Sequence, residues 1–458
     1  MTLGKVLTKL NMSKETELIE LLHQPASDAN VSQIRARISS LAPADIGNLL
    51  SRTPAPERQH LWDLFDEHLQ GEVVSHIEPE LIADLFASRS PTEIAQVIEK
   101  VSEDDELTDI IQQLPEAVSD EILENLDRQS RDRLENLLRY PADTAGGIMN
   151  TDIVSVRSDV SIEVVLRYLR RHRHLPMTTD QIFVVDKLGI YQGGLPLTSI
   201  LVADPDDPVT DWLETRVDPV AATISKHDVA LLFERYDLIS MPVTDSAGML
   251  LGRITIDDVV DVIIDEADHS VLSMAGLNEE DDLFAPILKT SRNRALWLGA
   301  NLVTALIASS VINLFEDTIE KVVALAVLMP IVASMGGVAG SQSLTLIIRS
   351  MAQGSLIDSN LSWLIRRELA VSILNGLLWA SLIAFGTSFV FQDWALGLII
   401  ALALVINMAV AALSGAILPR VLKSMNIDPA IAGTVILTTI TDVVGFVTFL
   451  GTATIFYG

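Results

Sequence analysis

One carboxylate near the C-terminus sits where charge is costly. In the stretch "TTITDVVGFVTFLGTATIFYG", Asp442 lies inside a run otherwise suited to lipid. A charged side chain at that depth costs at least ~2.5–3.5 kcal/mol on insertion scales, and such groups mark ion or substrate pathways. An unpaired buried anion either takes up a proton or holds a cation. A second set of acids lies upstream, in "TIDDVVDVIIDEADHSVLSMAGL". Asp258, Asp261 and Asp265 are spaced three and four apart, so they share a helix face, with Glu266 beside it. Like charges at this spacing repel unless something neutralises them. Cation binding is the chemistry open to both sets; a solvated acidic face is the plain alternative for the second.

The neighbours of Asp442 fit a lining role. Thr434, Thr438, Thr441, Gly445, Thr448 and Thr452 follow a 4-3-4-3-4 spacing, one face of a helix that Asp442 borders. Such a stripe serves helix packing or pore lining equally well, and the carboxylate tips the reading towards a pore. In "GGVAGSQSLTLIIR", Gly336, Gly337 and Gly340 interrupt an apolar helix just before Ser341 and Gln342. They allow a broken or kinked helix whose carbonyls face a water-filled path. Asp442 is expected to be the only carboxylate well inside any span, with no Lys, Arg or His to pair with.

These residues must be held by membrane helices. Five apolar stretches, at about 295–314, 319–347, 369–391, 394–418 and 430–457, each reach the ~20 residues that cross a bilayer. Arg292 and Arg294 precede the first; Arg349, Arg366 and Arg367 separate the second and third; Arg420 and Lys423 separate the fourth and fifth. The other two loops, "FEDTIEK" and "FQDW", are acidic or nearly uncharged. Bases thus fall on one side throughout, which places the N-terminus and residues 1–290 in the cytoplasm and the C-terminus outside a plasma (inner) membrane. No cleavable signal is expected: residues 1–24 read as an amphipathic helix with charges.

Charge is divided as sharply as hydropathy. Only eight acids and eight bases lie from Ser291 onward, so 53 of the 61 acids and 24 of the 32 bases fall in residues 1–290. The whole formal charge of −29 therefore sits there. Such a surface repels nucleic acid and anionic headgroups and attracts cations. The chain has no cysteine, which excludes disulfides, thiolate zinc sites and thiol catalysis. No nucleophile–base pair and no GxxxxGK[ST] stands out, so neither an enzyme nor an ATP-driven pump is expected.

The N-terminal 290 residues divide further. Residues 1–135 show helical spacing cut by Pro and Ser turns, with a loose repeat in "LAPADIGNLLSRTP" and "IEPELIADLFASRSP". This predicts an all-α superhelical domain. Within 136–267, "IFVVDKLGIYQGGLPLTSIL" and "MPVTDSAGMLLGRITIDDVV" align at a spacing of 59, pairing Asp186 with Asp245, Gly189 with Gly248, and Gly193 with Gly252. A duplicated β–turn–β–α unit, about 146–205 and 209–267, resembles an α/β pair of CBS domains. A connecting helix over 268–290 then leads into a five-helix transmembrane domain, 291–458.

The order of helical domain, CBS pair and five spans resembles the MgtE family of magnesium channels over essentially the whole chain. So do the stretches "AGGIMNTDIVSV", "GGVAGSQSLTLIIR" and "NIDPAIAG…TDVVGF". The resemblance implies a homodimer with the pore on its two-fold axis, where Asp442 holds a hydrated Mg²⁺ and the backbone carbonyl of Thr438 contributes. Mg²⁺ dehydrates reluctantly and prefers oxygen, so two facing carboxylates can grip it through its water shell. The resemblance also implies that acids of the N-terminal region bind Mg²⁺ and close the pore when cytosolic Mg²⁺ is ample. The matching positions are Asp258, Asp261 and Glu266, Asp237 in the second CBS unit, and, on the helical domain, Glu72 in "GEVVSHIEPE", Asp104 in "SEDDELTD" and Asp109. Asp265 joins them from the shared helix face.

This sequence departs from the family in places. Val338, Ala339 and Ser341 stand where members often carry Asn or Thr, and Thr434 where they carry Asn. His269 and Ser270 replace two acids late in the connecting segment. Some CBS pairs bind adenine nucleotide through a Thr and an Asp after the second strand. The second copy has Thr255 and Asp258 there, but the first has Pro196 and Ser199, so ATP is not expected. The expected activity is Mg²⁺ import gated by cytosolic Mg²⁺. The alternatives are a proton-coupled or less selective carrier of Co²⁺ or Mn²⁺, and a membrane-anchored Mg²⁺ sensor that does not conduct.

Overall fold

The computed structural model describes residues 28–458, apart from 88, 102–103, 113, 127, 173–174, 177, 216–217, 278–286, 354–357 and 426. The expected N-terminal amphipathic helix therefore lies outside the described residues. The chain divides into two compact units, one running to Glu266 and the other from Ala267 to Gly458.

The first unit opens with short helices, α1 to α9, between residues 28 and 137; no strand occurs among the described residues there. Their starts are written in the sequence. Pro43, Pro79 and Pro91 occupy first helical turns, where a missing N–H costs nothing. Ser90 and Glu93 form a capping box, each satisfying the other's backbone N–H. The apolar faces meet in one core around the fully buried Trp62.

Two three-stranded sheets follow. The first comprises β1 (Ser155–Arg157), β2 (Gln181–Val185) and β3 (Tyr191–Pro196), with α10 (Ile162–His172) after β1 and α11 (Leu197–Val202) after β3. The second comprises β4 (Val220–Ala221), α12 (Lys226–Tyr236), β5 (Ser240–Thr244) and β6 (Leu250–Thr255). In each, the first strand runs parallel to the second and the second antiparallel to the third. The 59-residue repeat holds in the register of the paired strands. Val184 pairs with Gly193 and Val243 with Gly252, and each ladder shifts register one residue later. Gly189 and Gly248 both adopt positive φ (85° and 80°), which glycine reaches without strain. The Asp186 and Asp245 carboxylates each accept two N–H groups of their own turns. The parallel strands β1 and β4 precede the repeat quoted above and were too short to announce themselves.

Helix α13 (Ile256–Met274) follows β6 without a break, and α14 begins at Ile287. The second unit is then helical: α14 (Ile287–Asn313), the short α15 (Glu316–Lys321), α16 (Ala324–Ala352), α17 (Asp358–Phe391), α18 (Trp394–Ser424) and α19 (Pro429–Tyr457). Five of these are long and apolar enough to cross a membrane, at 290–313, 324–352, 360–391, 394–424 and 429–457. The "EDTIEK" segment, expected as loop, is the helix α15.

Two expectations for the spans need correction. Helix α16 runs unbroken through Gly336, Gly337 and Gly340. The glycines make room for neighbours instead: a Cβ on Gly340 would press on Leu437 of α19, and one on Gly336 would enter the Asn407 amide of α18. Asp442 is also not the only carboxylate within a span. Helix α17 starts at Asp358, eleven residues before the expected 369, which brings Glu368 inside the span. Glu368 is 8% exposed; its Oε2 accepts the Ser343 hydroxyl of α16 (3.0 Å), and its Oε1 pairs with Arg367 (2.9 Å).

Candidate permeation site and acidic cluster

A cavity of about 840 Å³ lies along α16 and α19. Helix α16 lines it with Gly337, Ser341, Gln342 and, towards its C-terminal end, Arg349; α19 contributes Thr438 and Asp442. Asp442 is half-buried and has no hydrogen-bond or ion-pair partner among the described residues. Its threonine neighbours are committed elsewhere. Thr438 donates to the Thr434 carbonyl (2.8 Å), Thr439 to Val435 (2.8 Å) and Thr441 to Thr438 (3.0 Å). None of these hydroxyls serves the carboxylate.

The small-residue stripe therefore divides. Thr441 and Gly445 are buried packing positions, while Thr438 and Asp442 face the cavity. The Thr438 carbonyl already accepts the Thr441 hydroxyl and, in an α-helix, the Asp442 N–H. Any contribution of that carbonyl to a cation competes with those bonds.

The second group of acids lies in the first unit, on the early turns of α13 and on α7 (Asp104–Gln112). Asp109 is brought into the field of Asp258, Asp261 and Asp265. Loss of surrounding water pushes its carboxyl up to about 6; Lys226 pulls the other way, and the three aspartates add to the rise. Asp261 is raised too, by desolvation first and then by Asp265, Asp258 and Asp257, against a small opposing pull from His76. Asp109, Asp261 and Asp265 all keep exposed surface, so mobile ions reach the group.

The remaining expected ligands are dispersed. Asp258 also caps the start of α13: its Oδ2 accepts the Thr255 N–H (3.1 Å) and hydroxyl (3.0 Å). Glu266 lies 3.9 Å from His227 Nδ1 on α12. Glu72, on α4 (Glu67–Val74), pairs with His68 one turn earlier at 3.6 Å. Asp237 ends α12 in the left-handed conformation that Asp tolerates (φ 52°). The side chain of Asp104 lies outside the described residues. Among the described residues no three His, Asp or Glu side chains are gathered tightly enough to hold a bare metal ion. The group is a region of crowded negative charge rather than a preformed cage.

Three polar side chains carried no sequence signal. Glu368 was hidden beside the basic pair Arg366–Arg367, which made the helix look as if it began later. Asn407 stands alone in "ALALVINMAVAAL" and has no periodic partner. His269 of α13 meets Asp428 at the N-terminus of α19, Nε2 to Oδ2 2.6 Å, across a sequence separation that no local pattern reveals.

A multi-span helical bundle with a carboxylate-bearing cavity, preceded by a helical domain and a CBS pair, is the architecture of a cation transporter. Three family descriptions match in that order: "MgtE intracellular N domain" at 41–143, "CBS domain" at 145–203 and 209–265, and "Divalent cation transporter" at 329–452. The chain is 30% identical over 444 residues to the magnesium transporter MgtE of Thermus thermophilus, covering 96% of this chain and 98% of that one. It is 28% identical over 430 residues to the magnesium transporter MgtE of Bacillus subtilis, covering 94% and 95%. Among solved structures it is similar to the soluble part of a magnesium transporter (27% identity, TM-score 0.47, 56% of this chain and 99% of that one). It is also similar to the cytosolic domain of the Mg²⁺ channel MgtE in complex with ATP (33% identity, TM-score 0.46, 50% and 93%). This chain belongs to the MgtE family of magnesium transporters, and it is a transporter rather than an enzyme.

Proposed function

We propose that the chain is a Mg²⁺ import channel of the plasma membrane. It works as a homodimer, with residues 1–290 inside the cell and Gly458 outside. Two Asp442 carboxylates face each other across the dimer axis and hold a Mg²⁺ through its water shell, as a cation reluctant to dehydrate requires. A potential of 100 mV, inside negative, drives a divalent ion inward by about 2 × 2.3 kcal/mol, so no coupled energy source is needed. Cytosolic Mg²⁺ closes the pore by screening the repulsion among Asp109, Asp258, Asp261 and Asp265. Glu266, Glu72, Asp104 and Asp237 add ligands when subunits and domains come together. Mg²⁺ is thus both cargo and regulator, and ATP is not part of the reading.

The observation that carries this reading is the Asp442 carboxylate on the cavity wall, without a partner among the described residues, while the hydroxyls of Thr438, Thr439 and Thr441 on its own helix are each spent on a backbone carbonyl. A packing role would have given that carboxylate a donor. The test is Mg²⁺ uptake by Asp442→Asn at equal surface expression. Loss of about 100-fold or more is expected, from removal of a charge made for the ion. Near wild-type uptake would end the pore assignment.

A further inference from the structure

We propose that Asn407 is a positioning residue of the permeation path, whose amide wedges α16 and α19 at the separation the cavity needs. The inference deepens the reading of that cavity as the conduction path and rests on it. Asn407, in the middle of α18, is fully buried. Its Nδ2 donates to the Val332 carbonyl of α16 (3.0 Å). A Cβ on Gly336 of α16 would enter the amide, and one on Gly445 of α19 would stand 2.8 Å from Nδ2. The flat amide therefore fills a slot that only two glycines leave open.

Both slots adjoin the cavity. Gly336 directly precedes the lining residue Gly337, and Gly445 lies one turn beyond Asp442. One side chain of a third helix thus touches each helix that carries a cavity wall, one turn from the carboxylate. The wedge has a cost: Asn407 Oδ1 is buried without a hydrogen-bond partner among the described residues. In an apolar interior such an orphan oxygen is destabilising, because it has given up its water without gaining a donor. An apolar side chain would avoid that cost, but a branched one of equal reach is too thick for the gap. The amide is the flat group that spans it while still pinning α16 through Val332.

Changing the wedge should therefore move Asp442 relative to Gly337 and Ser341 without touching either wall directly. A hydrated cation held between walls is sensitive to their spacing, and misplacement by about 1 Å can cost up to about 100-fold in a positioned site. The test is a size-swap cycle in the full chain, reconstituted in vesicles: Asn407→Ala, Gly336→Ala and the double variant. Half-saturating Mg²⁺, maximal flux and preference for Mg²⁺ over Ni²⁺ are read, with surface expression and thermal stability as folding controls. Each single variant should raise half-saturating Mg²⁺ about tenfold and weaken ion preference, with a smaller change in maximal flux. The double variant, whose new methyl occupies the vacated space, should recover most of the loss. If Gly336→Ala fails to reach the membrane, Asn407→Ser serves as the second variant and should match Asn407→Ala. Folded Asn407→Ala with wild-type half-saturation and ion preference overturns the proposal, as does a double variant no better than the worse single. Asp442→Asn is run alongside. If it conducts, the cavity reading itself fails; if it is inactive while Asn407→Ala is normal, only the wedge fails.

Discussion

Asp442 and the Asp109–Asp265 group carry the same functional group into opposite surroundings. Asp442 is single, half-buried on the cavity wall and without a hydrogen-bond or ion-pair partner among the described residues. The other group crowds four carboxylates together, partly dried and partly in water, with Lys226 and His76 as modest counterweights. A lone carboxylate gives a passing cation one favourable stop and little reason to stay. Crowded carboxylates store repulsion, and a divalent ion that relieves it stabilises whichever state brings them together. Such a group responds to concentration, since a ligand confined to one state shifts the balance by RT ln(1 + [L]/Kd). The first arrangement suits conduction and the second suits sensing.

The largest effects should come from removing charge at each place, and they should have opposite signs. Asp442→Asn should cost most of the flux, as set out above, whereas Asp442→Glu should leave partial flux with altered ion preference. Neutralising Asp258, Asp261, Asp265 and Glu266 together should leave flux intact in low internal Mg²⁺ and remove inhibition at high internal Mg²⁺. Uptake measured against internal Mg²⁺ tells them apart. Inhibition unchanged in the fourfold variant would break the comparison, because the crowded group would then not be the sensor.

A second, smaller effect is pH dependence. A carboxyl raised to about 6 in the folded chain, from about 3.8, holds its proton more tightly folded than unfolded. Stability from this group therefore rises as pH falls from 6 towards 3.8, and the penalty is fully present above 6. Mg²⁺ bound at the group, as proposed, would relieve the same penalty. The stabilisation by millimolar Mg²⁺, read by thermal unfolding of the full chain, should be largest near pH 7.5 and shrink as pH falls through about 6. Asp109→Asn should flatten that dependence. NaCl at matched ionic strength should do much less at every pH; if it reproduces the whole effect, the acids are only a solvated face.

Much of this was legible in the sequence because it rests on strong, local regularities. About 20 apolar residues demand a membrane, and the five spans followed. A repeated Asp/Gly turn demands positive φ twice, and Gly189 and Gly248 supplied it. Asp442 was conspicuous because nothing near it in sequence could neutralise it. What stayed hidden depends on contacts between distant segments. The three- and four-residue spacing of Asp258, Asp261 and Asp265 predicted mutual repulsion, but nothing local shows Asp109 arriving from α7 to intensify it. Gly336 looked like a place for a helix to break, since hydropathy cannot show that Asn407 fills the gap. Glu368 was lost because an adjacent basic pair lowers the hydropathy of a helix that packing nevertheless extends to Asp358.

The smallest effect concerns the contact outside both sites. Asp428 divides its carboxylate: Oδ1 accepts the Ala430 N–H (2.7 Å) and caps α19, while Oδ2 meets His269. Asp428→Ala loses both and should cost about 1 kcal/mol for the cap alone. Asn caps a helix as well as Asp does, so Asp428→Asn keeps the cap and gives up only the anion opposite His269. Both side chains are about one-third exposed (34% and 30%), so that contact contributes about 1 kcal/mol or less. Thermal unfolding of the full chain should rank Asp428→Ala below Asp428→Asn, with Asp428→Asn close to His269→Ala. None of the three variants should alter the Mg²⁺ half-saturation of uptake, since no cavity residue and no member of the acidic group is touched. If Asp428→Asn instead shifted the internal Mg²⁺ needed for inhibition as far as the fourfold variant does, the contact would belong to the sensor, and the separation of conducting and sensing carboxylates would have to include it.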